Sequence, residues 1–252
     1  MSGATSPRPD VGASTEADLA ATRTAPEPLE IEVKLGVSRP LRIARLVRTF
    51  EGYRLAGFQP LGDARLVTVT DRYVDTAQIG GWLQALGMRA RLRSQGRTVV
   101  LAVKRSGSER AGVTVRVELQ ADATASLDPR HWPASAARAA LLEAIGQEPL
   151  QEIAVLRQRR LIRPIGTGST TVELSLDRVD AMEHGRVLAR RHELEAELLS
   201  GDERALGNLA DALLRLDGIT PPVGSKLAFG IAARKAMASR GPSAEPGTAP
   251  ES

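Results

Sequence analysis

Apolar and charged residues alternate one by one along several segments of this chain. The clearest segment is residues 29–35, LEIEVKL, in which every second residue is aliphatic. Successive side chains of a β-strand point to opposite faces, so this segment predicts a strand with one aliphatic and one charged face. Further strands are predicted over 65–74, 88–94, 97–105, 112–120, 151–163, 169–180 and 186–199.

Helical spacing of apolar residues appears between some of these strands. Apolar residues recur every three or four positions between 41 and 50, which predicts an amphipathic helix. Asp75 and Thr76 can cap a short helix that runs to Leu86. An alanine-rich segment and a capping box predict two longer helices, over 134–145 and 202–216.

These elements form one predicted domain over residues 28–235. The segments on either side, 1–27 and 236–252, are rich in Ala, Ser, Thr and Pro and show no periodicity. We therefore expect a disordered leader and a disordered tail. The fold class expected for the domain is α+β: an antiparallel sheet of eight strands with helices packed outside it.

The charged faces of the predicted strands indicate the chemistry. Glu30 and Glu32 offer hard oxygen ligands of the kind that Mg²⁺ or Mn²⁺ prefers, and Lys34 can contact a phosphate oxygen. Taken alone, this strand is also typical of a sheet with one solvated face. However, acids and cations accumulate in similar numbers on the other strands, with few neutral polar residues among them. If the strands close into a barrel, a charged interior suits a polyanion and its metals.

Composition narrows the function classes. A chain of 252 residues with 42% hydrophobic content can bury one sizeable core, and 3% aromatic content argues against a base-stacking nucleic-acid surface. The net charge of +4 favours acidic partners but is too small to indicate DNA binding. There is no cysteine for disulfides or thiolate metal sites. With no apolar stretch long enough for a membrane span and no signal-peptide core, we expect a cytoplasmic protein.

Several short motifs resemble those of the CYTH domain, also called the triphosphate tunnel metalloenzyme superfamily. Residues 30–34, EIEVK, resemble its Glu-x-Glu-x-Lys signature, and residues 73–76, YVDT, resemble its Tyr-Phe-Asp-Thr motif with Val74 in place of Phe. The order and spacing of the motifs carry the resemblance, which covers about residues 28–235. The remaining motifs are Arg91-Leu92-Arg93 with Lys104, Arg116-Val117-Glu118, Arg157 with Arg159, Leu176-Asp177-Arg178, the acidic run 193–202, and Ser225-Lys226.

The resemblance implies an eight-stranded antiparallel β-barrel that forms a tunnel. It also implies hydrolysis or cyclisation of a triphosphate with a divalent metal, Mg²⁺ or Mn²⁺. The spacing from Arg91 to Lys104 and the Leu-Ser-Gly-Asp at 199–202 are most similar to bacterial inorganic triphosphatases. Several of those carry a His-rich helical domain called CHAD, which we do not expect in this chain with its 3 His.

The charged faces and the resemblance together suggest roles for individual residues. The catalytic set expected is Glu30, Glu32, Lys34, Glu193 and Glu195. The residues expected to bind substrate phosphates are Lys34, Arg91, Arg93, Lys104, Arg116, Arg157, Arg159 and Lys226. The metal ligands expected are Glu30, Glu32, Glu118, Asp177, Glu193, Glu195 and Glu197. Other readings stay open: a structural Arg116–Glu118 pair, Asp177 as a turn residue, and Ser225 as a helix N-cap.

The leading hypothesis is metal-dependent hydrolysis of a triphosphate, most simply inorganic tripolyphosphate, by a monomer or homodimer. Its partner would be a small-molecule triphosphate or polyphosphate substrate. One alternative is another enzyme of the superfamily: a class IV adenylyl cyclase, a thiamine triphosphatase or an mRNA-capping triphosphatase. A second is a non-catalytic polyphosphate or nucleotide-binding module, although many carboxylates facing a polyanion argue against a pure binder. A third is a plain antiparallel β domain with a charged surface.

Overall fold

The structure, a computed structural model, describes residues 28–51, 55–78, 81–110, 112–221 and 224–239. The strands are β1 (Leu29–Val37), β2 (Gln59–Pro60), β3 (Arg65–Thr76), β4 (Met88–Gln95), β5 (Thr98–Arg105), β6 (Ser108–Arg110), β7 (Val113–Asp122), β8 (Leu150–Thr167), β9 (Thr170–Glu183), β10 (Arg186–Ser200) and β11 (Ile219–Thr220). The helices are α1 (Pro40–Thr49), α2 (Trp82–Ala85), α3 (Ala136–Ile145), α4 (Glu203–Leu214) and α5 (Lys226–Ala238). The predicted disordered leader and most of the predicted tail lie outside the described residues.

Eight of the strands close into an antiparallel barrel. Their order is β1-β10-β9-β8-β3-β4-β5-β7, and pairing of β1 with β7 completes the circle. The short strands β2, β6 and β11 extend the sheet beside β8, β7 and β1. The α+β class and the eight-stranded barrel expected from the sequence are therefore confirmed.

Strand β1 closes the barrel and sets opposite charges beside each other. On one side Glu30 lies opposite Arg116 of β7, and on the other Lys34 lies opposite Glu195 of β10. Directly opposed residues of neighbouring strands are close enough for their side chains to interact. The register that closes the barrel is thus the register that pairs these charges.

The aliphatic faces of the strands point outward and are covered by helices. Helices α1 and α4 pack Leu46 and Leu209 onto one part of the wall, which includes Leu194. Helices α2 and α3 cover another part, where Leu141 packs with the buried Leu92 of β4. Each fully buried leucine contributes about 2 kcal/mol of hydrophobic free energy. The aliphatic side chains of each strand therefore pack beneath the helices, and the charged side chains point into the barrel.

Helix α5 differs from the helices outside the wall. Its Leu227 packs against inward-facing residues of the barrel, among them Tyr73, Ala154 and Leu156. Gly230 lies so close to β8 that a Cβ added there would sit 2.9 Å from the Cβ of Ala154. Helix α5 therefore closes part of the barrel's interior, an arrangement that the sequence did not predict.

The helix caps follow the sequence with small shifts. The Asp75 carboxylate accepts hydrogen bonds from the backbone N–H groups of Thr76 and Leu83, so it supports α2 from seven residues before that helix begins. Asp202, and not Ser200, accepts the capping hydrogen bond of α4. Ser225 caps α5 by accepting from the backbone N–H of Ala228. The N-cap reading of Ser225 is confirmed.

Candidate functional site in the barrel interior

The charged residues of the alternating strands meet inside the barrel. They enclose a cavity of about 390 Å³ whose lining includes Glu30, Arg91, Lys104, Arg116 and Glu195. Most of these side chains are largely removed from solvent. Charges are expelled from protein interiors unless they are paired, so each must find a partner of opposite sign. The cavity is built from such pairs.

The first cluster surrounds the two glutamates of β1. Lys104 Nζ lies 2.7 Å from one carboxylate oxygen of Glu30, and Arg116 Nε lies 2.6 Å from the other. Arg116 also donates to Glu32. Lys34 connects this cluster to the next, because its Nζ lies 3.0 Å from Glu32 and 2.7 Å from Glu195 of β10. Carboxylates and cations thus alternate around this part of the wall.

The second cluster is a buried group of three carboxylates. Asp177, Glu193 and Glu195 each offer an oxygen within 4.8 Å of the others. Lys226, at the start of α5, places its Nζ 2.6 Å from Asp177, 3.0 Å from Glu193 and 3.1 Å from Glu195. Arg160 of β8 adds contacts of 3.0 Å to Asp177 and 3.3 Å to Glu195. The ammonium of Lys226 therefore contacts all three acids, and Arg160 shares two of them.

This donor set fits a divalent metal. All three residues supply carboxylate oxygens, the hard ligands that Mg²⁺ and Mn²⁺ prefer, and they are already close together. Mutual repulsion makes three buried carboxylates unfavourable without a cation between them. A metal ion and the Lys226 ammonium serve the same electrostatic need, so a metal bound here would take over contacts that Lys226 makes.

The third cluster holds two arginines in place. Asp71 of β3, fully buried, accepts hydrogen bonds from Arg93 Nε at 2.7 Å and from Arg91 at 3.2 Å. Gln158 of β8 donates to the same carboxylate at 2.5 Å. Arg91 also reaches Glu118, at 3.5 Å. Asp71 thus fixes the two guanidinium groups of β4 on the inner wall of the barrel.

The pKa values follow from burial and these neighbours. Burial alone would raise the pKa of Glu30, but Lys104 and Arg116 outweigh it and lower the pKa to about 2. Burial and repulsion from Arg91 lower the pKa of Lys104 to about 8. Burial, reinforced by Glu195, raises the pKa of Glu193 above its ordinary value. The cavity thus holds a strongly acidic carboxyl group and one that retains its proton more readily.

Glu197 lines the cavity, and no ion pair of this carboxyl group occurs within the described ranges. Burial, together with repulsion from Glu30 and Glu32, raises its pKa to about 7. A metal cation bound beside these three acids would reduce their mutual repulsion.

The structure brings together all but two of the residues predicted for the site. Arg157 and Arg159 do not face the cavity: both are exposed on the outer face of β8, and Arg157 contacts Asp180, 3.4 Å away. The prediction chose the wrong side of this strand, because side chains alternate and Arg160 is the arginine that points inward. The predicted residues that line or join the interior clusters are Glu30, Glu32, Lys34, Arg91, Arg93, Lys104, Arg116, Glu118, Asp177, Glu193, Glu195, Glu197 and Lys226.

Sequence reasoning missed several interior residues, among them Arg160, Asp71 and Gln158. Arg160 stood in a run of arginines in which the inward position was not evident. Asp71 lies in the predicted strand at 65–74, next to Arg72, and reads there as a solvated polar pair. The signal that could have found it is its spacing of two residues from Tyr73, which puts both on one face.

A closed barrel with an interior of paired carboxylates and cations has a charge pattern suited to a polyanion and its metal ions. The sequence matches the CYTH domain family over residues 28–222. The chain therefore belongs to the CYTH domain family, whose members act on triphosphates. No curated protein matches the chain by sequence.

Solved structures share the fold. HpAC1 from Hippeastrum, described as having a dominant triphosphatase activity, superposes with a TM-score of 0.59 at 19% identity, covering 81% of this chain and 95% of its own. A candidate adenylate cyclase from Bacillus halodurans, bh2851, gives a TM-score of 0.51 at 15% identity, covering 80% and 97%. At these identities the likeness concerns the fold. Among the helices in the described ranges, none combines the length and apolar character needed to span a bilayer.

Proposed function

We propose that this protein hydrolyses a triphosphate, with inorganic tripolyphosphate as the substrate and Mg²⁺ or Mn²⁺ as the cofactor. The observation that carries the proposal is the composition of the cavity wall. Carboxylates suited to metal ions and guanidinium or ammonium groups suited to phosphate oxygens line the same enclosed space of about 390 Å³.

The cationic residues would bind the phosphate chain. Arg91 and Arg93 are already fixed by Asp71, so little side-chain entropy is lost when they contact phosphate. Guanidinium groups contact phosphate in a bidentate manner, whereas Lys34 and Lys104 act as point charges. Arg160 replaces Arg157 and Arg159, which were predicted from the sequence, in this set. Arg116, which contacts Glu30 and Glu32, positions these carboxylates and can also reach phosphate.

The carboxylates would hold the metal. Asp177, Glu193 and Glu195 form the most compact set, and Glu30, Glu32 and Glu197 lie along the adjoining strands. A bound divalent ion polarises phosphoryl oxygens and offsets the negative charge that develops in phosphoryl transfer. When carboxylates turn to a metal, the lysines and arginines that they now hold become available to phosphate.

The chain's own residues would then prepare the attack of water. Burial and the neighbouring Glu195 raise the pKa of Glu193 above its ordinary value, which makes it a stronger base than an ordinary carboxylate, and it can orient a water molecule toward the terminal phosphorus. Lys226 reaches the same carboxylates from α5, so it can approach the phosphate chain when they release it. Catalysis of this kind depends on positioning and electrostatics more than on covalent chemistry.

The wall also favours an inorganic substrate. Within the described ranges, Tyr73 is the aromatic residue in the cavity lining, and its ring packs with Ala154 and Leu156 of the core. A nucleobase or a thiazolium ring would need an apolar or aromatic surface to stack on. The ionic wall offers phosphate contacts in that space, which supports tripolyphosphate over ATP and thiamine triphosphate.

Phosphate release from several substrates tests the proposal. Purified protein is assayed with tripolyphosphate, thiamine triphosphate, ATP and long-chain polyphosphate, each with Mg²⁺ and with Mn²⁺, and cyclic AMP is measured in the ATP reactions. We expect release from tripolyphosphate at least about tenfold faster than from the organic triphosphates. Cyclic AMP as the main product from ATP would instead establish a cyclase.

A matched pair of variants tests the site itself. Glu30→Gln removes a charge from the cavity and should lower kcat at least about a hundredfold while the protein stays folded. Glu143→Gln makes the same change on the exposed surface of α3 and should retain full activity. Retained metal-dependent hydrolysis in Glu30→Gln would refute the assignment of this cavity as the active site.

A further inference from the structure

The outer wall of the barrel carries a concentration of arginines that the cavity does not use. We call Arg157 and Arg159 of β8, Arg178 of β9 and Arg190 of β10 the outer arginine patch. Gln158 and Arg160 point inward, so Arg157 and Arg159 point away from the cavity. The side chains of Arg157 and Arg190 are 44% and 46% exposed, and that of Arg178 is 29% exposed.

One carboxylate serves this patch. Asp180 of β9 is buried beneath it and contacts Arg190 at 2.6 Å, Arg178 at 3.2 Å and Arg157 at 3.4 Å. These guanidinium groups hold the pKa of Asp180 below its ordinary value despite its burial. A single negative charge cannot balance four guanidinium groups, so the patch keeps a net positive charge.

The strand register places like charges directly opposite each other. Arg159 lies opposite Arg178, and His192 lies opposite Arg178 on the other side. Like charges in directly opposed positions destabilise a sheet. Burial and repulsion from Arg190 and Arg178 lower the pKa of His192, which keeps the imidazole neutral at physiological pH. Arg159 and Arg178 therefore form an opposed pair of like charges in which Arg178 contacts Asp180.

The spacing of the patch suits an extended polyanion. Neighbouring strands lie about 4.8 Å apart, and side chains two residues apart on one strand lie about 6.7 Å apart. The guanidinium groups therefore occupy two short rows across three strands. Guanidinium groups bind phosphate oxygens through paired hydrogen bonds, and an anion between Arg159 and Arg178 would relieve their repulsion.

We propose that a linear polyphosphate chain binds the outer arginine patch, outside the barrel cavity. Each unit of such a chain carries charge and is joined to the next by a single oxygen, so it can match closely spaced guanidinium groups. Nucleic-acid phosphates are separated by sugars, and single-strand binding relies on aromatic stacking surfaces. The patch consists of arginines with His192 beside them, on a sheet wall, which favours the inorganic chain.

Binding of labelled long-chain polyphosphate, measured by fluorescence anisotropy without divalent metal at several salt concentrations, tests the proposal. The test variant is Arg159→Gln/Arg178→Gln. The control is Arg45→Gln/Arg204→Gln, which removes the same charge from the exposed surfaces of α1 and α4. We expect the test variant to bind about tenfold more weakly than the control and with a shallower salt dependence.

The outcomes separate the alternatives. Equal affinity in the two double variants would overturn the proposal, and so would tighter binding of single-stranded RNA that depends on the same arginines. If the test variant does not fold, Arg159→Gln alone replaces it, because no ion pair of Arg159 occurs within the described ranges. This single variant should also bind polyphosphate more weakly than the control. The inference does not rest on hydrolysis: patch-dependent binding without triphosphatase activity would contradict the proposed function alone.

Discussion

Individual residues in the cavity have several partners of opposite charge. Glu195 contacts Lys34, Lys226 and Arg160, and Lys226 contacts three carboxylates. Removing such charges from water costs about as much as their attraction returns, so the network contributes little net stability. Removing one partner is a different matter, because it leaves a buried charge unbalanced. Single substitutions in the cavity therefore have large effects on both stability and function.

Asp71 provides a test of this principle through its pH dependence. Asp71→Asn leaves Arg91 and Arg93 without their carboxylate and should lower the free energy of unfolding by about 3 kcal/mol at pH 7. Although burial opposes them, the two arginines hold the pKa of Asp71 well below its ordinary value of 3.8. The stabilisation is thus present above pH 3.8 and is lost as the pH falls further.

Urea denaturation at a series of pH values measures this difference. The gap between the wild-type protein and Asp71→Asn should narrow once the pH falls below about 4. Asp211→Asn, on the exposed surface of α4, is the control and should change stability by less than about 0.5 kcal/mol. A gap that widens in acid would contradict the ion-pair explanation.

Arg160 tests which side of β8 faces the substrate. Arg160→Gln should raise the KM for tripolyphosphate about tenfold or more, because it removes a guanidinium group held 3.0 Å from Asp177 in the cavity. Arg160→Lys, which keeps the charge but not the bidentate geometry, should lose less. Steady-state kinetics should also show a smaller effect for Arg159→Gln. A larger effect at Arg159 would restore the prediction made from the sequence.

The same strand shows where sequence reasoning succeeds and where it stops. In β1 one face is aliphatic and the other charged, so alternation placed Glu30, Glu32 and Lys34 on one face, and the charged residues of the other strands indicated that this face lines the interior. In β8 the outer face at Arg157 and Arg159 is not covered by apolar packing, so both faces are polar and alternation carries no signal. Asp71 was missed because a buried carboxylate with three partners looks like a solvated one in the sequence.

At the level of elements, α5 is the helix that the sequence described least. Its N-cap, Ser225, and the cavity residue Lys226 were identified, but its insertion against inward-facing residues was not. The reason is that its contact surface consists of small groups, with Gly230 against Ala154 of β8. Two backbones can approach closely only where side chains are small. Such residues produce no hydrophobic periodicity, so the contact could not be predicted from the sequence.

The contact at Gly230 predicts opposite effects of one substitution at two sites. Alanine favours helices over glycine by about 1 kcal/mol. Gly207→Ala in α4 meets no atom within 4 Å and should gain about that much stability. Gly230→Ala places a methyl group 2.9 Å from the Ala154 Cβ, so overpacking outweighs the gain and stability should fall by about 1 kcal/mol.

Thermal unfolding of the two variants beside the wild-type protein provides the measurement. Gly207→Ala should raise the Tm and Gly230→Ala should lower it. An increase in both would mean that α5 does not dock against β8 as tightly as the structure indicates.

At the level of the whole molecule, the positive and negative charges of the cavity balance each other. Its carboxylates and cations are present in comparable numbers and contact each other directly. A metal alone must separate carboxylates from their cations, and a polyphosphate alone must separate cations from their carboxylates. Together they replace both sets of partners, because the metal takes the acids and the phosphates take the bases. Binding should therefore be cooperative.

Thermal unfolding with a slowly hydrolysed imido analogue of tripolyphosphate tests this cooperativity. A ligand that binds the native state raises the Tm in proportion to its binding free energy. We expect Mg²⁺ alone and the analogue alone to give small shifts, and both together to exceed the sum of the two. Additive shifts would show that the ion pairs of the cavity do not have to be exchanged.

Closure of the barrel through β1 has a consequence for how the protein is made. This first strand of the described chain needs Arg116, 86 residues further on, and then β10, which emerges from the ribosome much later. Until β10 emerges, the edge of β1 that pairs with it lacks hydrogen-bonding partners, a condition that invites association with other chains. Lys34 of the same strand also waits for Glu195, whereas Glu30 and Glu32 find their counter-charges at Lys104 and Arg116. A polypeptide released before β10 would therefore expose an open strand edge and leave the barrel unclosed.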